Sequence, residues 1–204
     1  MKISALCIVG LLVSVSFLSG MDQVFEPLPI GSPMPLVDHA VTLTTGESTS
    51  LSQALGANGL LVVFICNTCP WVQKWEDRFN TVSSVAAGNE IGVIFLNSNE
   101  ALRSTTESLA AMRQRAMDSQ YNFSYAADVD NILADAFGAV RTPDVYLFDS
   151  TRTLRYRGAI DDNARNAAAA TPYLIEAMRL MTENIEITSP VQKAIGCTIK
   201  RVGD

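Results

Sequence analysis

The sequence predicts an α/β fold: a central mixed β-sheet flanked by helices, with an N-terminal extension and a C-terminal tail. Three observations predict it. Two continuous apolar runs of strand length, residues 60–65 and 91–96, bracket a stretch whose apolar residues recur at helical spacing. That pattern marks a parallel strand–helix–strand unit with buried strands. Two later strand patterns, residues 145–148 and 154–160, lie close enough in sequence to pair as an antiparallel hairpin. The chain has 204 residues, 48% of them apolar and 18% charged, enough to build a packed core and too apolar for a disordered chain.

The first twenty residues read as a separate unit. Lys2 gives a positive start, residues 3–18 are almost wholly apolar, and Leu18-Ser19-Gly20 offers a small residue for cleavage. This is the three-part pattern of a secretory signal. The apolar stretch is shorter than the roughly 20 residues that span a bilayer comfortably. The expectation is therefore a cleaved signal over residues 1–20 and an exported, periplasmic or secreted domain over residues 21–204, with no stable membrane span. An uncleaved N-terminal anchor is the alternative. Cys7 lies inside the apolar stretch and not at its exit, which does not suit a lipid-modified cysteine.

The elements then follow in order. Pro27, Pro29, Pro33 and Pro35 make residues 21–36 an extended arm. Residues 41–43 with the Thr44-Thr45-Gly46 turn suggest a small hairpin, and residues 50–55 a helical turn. Residues 60–65 form the buried central strand. Trp71, Val72, Trp75, Phe79, Val82 and Val85 line one side of the next helix, with Gln73, Lys74, Glu76 and Asp77 opposite. After the strand at 91–96, the spacing of Leu102, Leu109, Met112 and Ala116 predicts one helix over 101–117. Asp128 is placed to cap a short helix that carries Ile132, Leu133 and Phe137 inward and ends at Gly138. Leu154, Tyr156, Gly158 and Ile160 alternate with Arg155 and Arg157 as in a half-exposed strand. Thr171 is expected to cap a last helix, with Pro172 at its first position, running to about Glu183. A polar tail follows, and no repeat or second domain boundary is visible.

The formal net charge is −6, and no basic stripe or Arg-rich run exists, so nucleic acid is excluded as a partner class. Beyond the signal three cysteines remain, Cys66, Cys69 and Cys197. An odd number does not suit a structural disulfide scaffold, and two thiols in Cys66-Asn67-Thr68-Cys69-Pro70 point to redox turnover. Thiol–disulfide exchange requires a thiolate, which the unpaired N–H groups and partial positive charge of a helix N-terminus favour. Proline is favoured at the first helical position, so Pro70 puts Cys69 at or next to the N-cap. Two registers stay open: Cys66 as nucleophile with Cys69 resolving, or Cys69 as nucleophile with Cys66 upstream. Pro70 favours the second. Zinc would need four ligands, and only Cys197 and His39 remain, at opposite ends of the chain. No metal or organic cofactor is expected.

Four ordered motifs then carry a resemblance that spans roughly residues 27–200. They are Phe64-Ile-Cys-Asn-Thr-Cys-Pro70, Phe137-Gly-Ala-Val-Arg-Thr-Pro-Asp-Val-Tyr-Leu-Phe-Asp149, Tyr156-Arg-Gly-Ala-Ile-Asp-Asp162 and Gly196-Cys-Thr-Ile-Lys200. The chain resembles the thioredoxin-like redoxin superfamily (AhpC/TSA-related), in the branch with a Cys-Asn-x-Cys-Pro motif. The resemblance implies a thioredoxin-like fold and a cis peptide bond at Thr142-Pro143. It also implies that Pro143 faces the cysteine pair, with the Thr142 backbone free to pair with an incoming peptide. The implied activity is thiol–disulfide exchange outside the cytoplasm on protein or small-molecule disulfides, with another thiol system as reductant.

Two departures from the resemblance qualify it. Six residues before Cys66 stands Leu60, where many thioredoxins have a buried acid, which leaves Glu76 as a candidate proton carrier or a solvated charge. Peroxidases of the superfamily use Pro-x-x-x-Thr-x-x-Cys. Aligned on Cys69 those places hold Val62 and Cys66, and aligned on Cys66 they hold Gly59 and Val63. Peroxide reduction is accordingly the second expectation, and a non-catalytic redox-sensing module the third. Cys197 is either a third redox thiol or a small buried anchor for the tail. Trp71 is either a shield beside the thiols and their substrate or a core residue, and Arg141 either a thiolate-stabilising cation or a surface charge. Copper chaperones of this fold rely on a histidine well downstream of the cysteines. The single histidine, His39, lies upstream and is expected at the surface.

Overall fold

The computed structural model describes residues 25–203. The expected signal sequence and Cys7 lie outside the described residues. Nine strands and five α-helices follow in chain order: β1 (Val41–Leu43), β2 (Ser48–Thr49), α1 (Leu51–Ala54), β3 (Gly59–Ile65), α2 (Pro70–Gly88), β4 (Ile91–Asn97), α3 (Leu109–Asp118), β5 (Ser124–Ala127), α4 (Ile132–Phe137), β6 (Arg141–Thr142), β7 (Asp144–Asp149), β8 (Leu154–Gly158), α5 (Tyr173–Thr182) and β9 (Cys197–Thr198). Seven of the strands form one sheet in the order β2-β1-β5-β4-β3-β7-β8, while β6 and β9 form a separate two-stranded ladder.

The central sheet is mixed, as the sequence predicts. β3 pairs in parallel with β4 and antiparallel with β7, and β7 turns back onto β8. Every residue of β3 is buried because helices cover both sheet faces, which explains its unbroken apolar run. Leu61, Val63 and Ile65 face a core shared with α2 and α5. Leu60, Val62 and Phe64 face a second core with α1 and α4. Val72, Phe79 and Val82 bring α2 against the first of these, and full burial of each such side chain contributes about 1.5–3 kcal/mol. The proline-rich arm runs across the second core, with Leu28 N–H donating to Phe137 O at 3.0 Å and Met34 N–H to Arg152 O at 2.8 Å.

Four local expectations are corrected. The helix expected over 101–117 is a short 3₁₀ turn, Glu100–Leu102, followed by irregular chain and then α3. The break falls in Arg103-Ser104-Thr105-Thr106-Glu107-Ser108, where hydroxyl side chains compete for backbone groups, and Ser108 caps α3 by accepting from Ala111 N–H at 3.2 Å. The strand β5 is additional. It pairs with β4 in parallel and with β1 antiparallel, so neighbours on both sides hold a Ser-Tyr-Ala-Ala segment of weak strand propensity. Ile132 points outward, while Leu133, Ala134 and Phe137 fill the core. The last helix starts at Tyr173 with Pro172 as its N-cap, because Thr171 commits its N–H and hydroxyl to Asp162, each at 2.7 Å. Asp128 does serve α4, accepting from Leu133 and Ala134 N–H at 2.9 Å each, and Gly138 ends that helix in the left-handed region at φ 64°.

Candidate active site

The three cysteines meet at one end of the sheet. β3 delivers Cys66 at its exit, and α2 begins with Cys69 as N-cap and Pro70 as its first residue. The Thr142–Pro143 peptide bond is cis, and it faces the pair. Cys66 Sγ lies 3.2 Å from Thr142 Oγ1, and the Cys69 thiol donates to the Thr142 carbonyl at 3.3 Å. Thr142 itself is fully buried, and Cys66 and Cys69 are 2% and 3% exposed. The two sulfurs are free and are hydrogen-bonding neighbours of each other.

Their environments differ in sign. Cys69 accepts from the Cys66 thiol, Cys197 and the Val72 N–H, and these donors hold its pKa down to about 5 against the cost of burial. Cys66 is pushed up, chiefly because it donates to Cys69, and further by burial and the Glu107 charge. The pair therefore ionises first at Cys69, the sulfur at the positive end of α2. Its bond to the Thr142 carbonyl exists only while Cys69 is protonated. Ionisation gives that bond up and leaves the sulfur to the donors of α2 and its thiol neighbours.

Glu107, which no motif in the sequence marks, holds the loop between the cysteines. It is fully buried, and its carboxylate accepts from Asn67 N–H at 2.8 Å, Thr68 N–H at 3.2 Å, Thr68 Oγ1 at 2.8 Å and Asn97 Nδ2 at 2.6 Å. Asn67 is also tied to Thr106 O at 2.9 Å and accepts from Tyr125 Oη at 3.0 Å. A glutamate in a Ser/Thr-rich run carries no local sign of burial; its donors come from β4 and the cysteine loop. On the other side of α2, the buried Asp161 accepts from Trp75 Nε1 at 2.8 Å and Arg78 Nε at 3.0 Å, fixing the helix to the chain beyond β8.

The tail corrects one expectation. The Thr142 edge is not free: β9 pairs antiparallel with β6, with Cys197 opposite Thr142 and Thr198 opposite Arg141. Ile199 N–H donates to Val140 O at 3.0 Å, and the Ile199 side chain is fully buried. Gly196 permits this approach, since a Cβ there would stand 2.2 Å from Thr142 O. Cys197 is half-buried, touches the Cys69 sulfur and accepts from the Trp71 N–H.

The other candidates are placed as follows. Trp71 is half-buried against the first core, with its ring 5.8 Å from that of Trp75 and Lys74 Nζ 4.2 Å from its centroid. Glu76 is no free proton carrier. It pairs with Arg115 at 2.6 Å and accepts from Tyr121 Oη at 2.5 Å, which commits it to joining α2 and α3. Arg141 is exposed and donates to Gly196 O at 3.3 Å, so it steadies the tail. His39 is half-buried and lies apart from the cysteines. Among the described residues no group of three or more His, Cys, Asp or Glu could hold a metal ion, and no helix is long and apolar enough to cross a membrane.

The family model of the AhpC/TSA family matches residues 30–157. A hypothetical protein from Sinorhizobium meliloti 1021, SMc02350, is similar at 28% identity and TM-score 0.79, over 88% of this chain and 98% of its own. An uncharacterized conserved protein from Geobacillus kaustophilus is similar at 27% identity and TM-score 0.79, over 86% and 94%. Peroxidoxin BcpB from Mycobacterium tuberculosis shares the fold at 14% identity and TM-score 0.57, over 74% and 96%. No curated protein matches the chain. A thioredoxin-like sheet with two thiols at the start of its first long helix, beside a cis-proline, together with the match over residues 30–157, places the chain in the AhpC/TSA family of redox proteins.

Proposed function

We propose that the chain is a thiol–disulfide oxidoreductase acting on protein or small-molecule disulfides outside the cytoplasm. The observation that carries the reading is Cys69 as the N-cap of α2, its sulfur fed by N–H and S–H donors, with Cys66 as a protonated neighbour. The Cys69 thiolate attacks one sulfur of a substrate disulfide and releases the other as a thiolate. The Cys66 thiol then loses its proton, attacks Cys69 Sγ and expels the bound half of the substrate as the second thiolate. One leaving thiolate takes the proton that Cys66 loses and the other takes one from water, replacing the proton Cys69 released on ionising; the substrate gains two electrons, and a Cys66–Cys69 disulfide remains for an external dithiol to reduce. No organic cofactor is needed. The apolar, signal-like residues 1–20 support export, and an N-terminal sequence of the exported protein beginning near residue 3 would refute cleavage near Gly20.

Peroxide reduction by Cys69 is the second reading. The β9 cover over the Thr142 edge favours it, because a small substrate does not need that edge. The absence of that threonine, whose place is held by Cys66 or Val63, counts against it. One assay series separates the two: insulin-disulfide reduction and peroxide consumption with dithiothreitol, in the wild type, Cys66→Ser and Cys69→Ser. Disulfide reduction lost in both variants supports the first reading. Peroxide turnover that survives in Cys66→Ser and disappears in Cys69→Ser replaces it with the second.

A further inference from the structure

The geometry points to Cys69 as a shared sulfur: it forms one disulfide with Cys66 and an alternative one with Cys197, and the second is the form that an external thiol reduces. The inference rests on the oxidoreductase reading of Cys66 and Cys69 and adds the route by which the oxidised pair is emptied.

Access is the first argument. Cys66 and Cys69 are 2% and 3% exposed, so a disulfide between them offers little surface to an incoming thiolate. Attack needs the nucleophile in line with the S–S bond, and buried sulfurs exchange slowly for that reason. Cys197 is the most accessible of the three, on the outer strand of the β6–β9 ladder.

Placement is the second. Cys197 is not on a loose arm. The β9 register sets it opposite Thr142, whose carbonyl is 3.3 Å from Cys69 Sγ, and Cys197 contacts that sulfur. The strand is fixed beyond the cysteine as well. Ile199 is buried in the second core, Lys200 N–H donates to Asn99 Oδ1 at 2.9 Å, and Arg201 Nε donates to Asp135 Oδ1 at 2.9 Å. Before the cysteine, only a residue without Cβ fits against Thr142 O, and Gly196 supplies it. Both the Cys69 and Cys197 sulfurs thus sit at the N-terminus of α2, facing the Val72 and Trp71 N–H groups.

Electrostatics set the order of events. In the reduced protein Cys197 is held protonated by burial and by its Cys69 neighbour. Once Cys69 enters a disulfide its charge is gone, and the Trp71 N–H remains to favour the Cys197 thiolate. That thiolate attacks Cys69 Sγ, a Cys69–Cys197 bond forms, and Cys66 leaves as a thiolate that takes up the proton Cys197 lost. No electrons are gained or lost in this exchange. An external dithiol then attacks Cys197 Sγ and expels the Cys69 thiolate. Its second thiol closes the reductant's own disulfide and releases Cys197, so that two electrons pass from the dithiol to the protein.

The test maps disulfides by peptide mass under non-reducing conditions after limited diamide oxidation of the full chain. The wild type should yield both Cys66–Cys69 and Cys69–Cys197. Cys66→Ser should yield only Cys69–Cys197, and Gly196→Val should lower the yield of Cys69–Cys197 by about tenfold or more while Cys66–Cys69 persists, since close placement is what drives an intramolecular exchange. Oxidised Cys197→Ser should be reduced by glutathione about tenfold more slowly than the oxidised wild type, for the same reason of access. A wild type with only Cys66–Cys69, with Cys66→Ser forming only intermolecular dimers, would overturn the inference. So would a Cys197→Ser chain reduced as fast as the wild type. The insulin assay separates the two levels: mapped Cys69–Cys197 without insulin reduction leaves the shared sulfur standing and removes the oxidoreductase reading alone.

Discussion

Glu107 Oε2 accepts the backbone N–H of Asn67 at 2.8 Å, so a fully buried carboxylate grips the loop between Cys66 and Cys69. Four donors converge on it, and no cation pairs with it among the described ion pairs. A buried charge satisfied by hydrogen bonds alone fixes geometry, and here it also adds a negative field beside Cys66.

Glu107→Ala should destabilise the protein by about 3 kcal/mol or more, because it strands the Asn67 and Thr68 N–H groups and the Asn97 amide. Urea denaturation measures it. Glu107→Gln keeps the shape and removes the charge, and should bring the Cys66 thiol down toward its ordinary value. A thiol titration of Cys69→Ser with and without Glu107→Gln reads that shift; identical titrations would refute it.

In the reduced protein one thiolate should appear in the ultraviolet spectrum with a midpoint near pH 5, and Cys69→Ser should abolish it. The folded pKa lies below the ordinary value of 9.0. Its contribution to stability is therefore fully present above that ordinary value and is lost as pH falls through about 5. Cys66, shifted the other way, should add no step below pH 9.

Asp144, next to Pro143, carries the opposite linkage. Burial pushes it up to about 7 from 3.8, against donors at Val145 N–H and Tyr146 Oη. Stability from this group is fully present below 3.8 and is lost as pH rises through 7. Asp144→Asn should remove a decline of order 4 kcal/mol at most across that window. Denaturation midpoints of the two chains at several pH values give the comparison, and parallel profiles would contradict it.

Breaking the Arg78–Asp161 pair should loosen the helix that carries Cys69. The side chains are 10% and 6% exposed, and Asp161 also holds Trp75 Nε1. Asp161→Ala leaves Arg78 Nε and an indole N–H without their acceptor while Asp77 and the Lys74 and Asn163 carbonyls still hold the guanidinium, at a cost of about 1–3 kcal/mol for each group stranded. A melting temperature unchanged from the wild type would show that α2 is anchored by its apolar face alone.

Much of the framework was legible in the chain. β3, α2, β4, β7 and β8 announce themselves through apolar runs or spacing, and Pro70 fixes Cys69 at a helix start. β5 was not legible: Ser124-Tyr125-Ala126-Ala127 has weak strand preference, and strands on both sides impose its conformation. Glu107 was hidden for a similar reason, because its partners come from residues 67, 68 and 97. The occupied Thr142 edge was hidden too. Gly196-Cys197-Thr198 is short and polar, and only its pairing partner makes it a strand.

The same pairing sets a timetable for synthesis. The loop at Thr142 and the cysteines of residues 66 and 69 emerge well before β9, and the contact that closes them must wait until the chain has been made through Lys200. Closing so long a loop comes late in folding. Until then Cys69 lacks its Cys197 neighbour. A nascent or C-terminally clipped chain is therefore the form most open to stray oxidation, and completion of the tail is what matures the site.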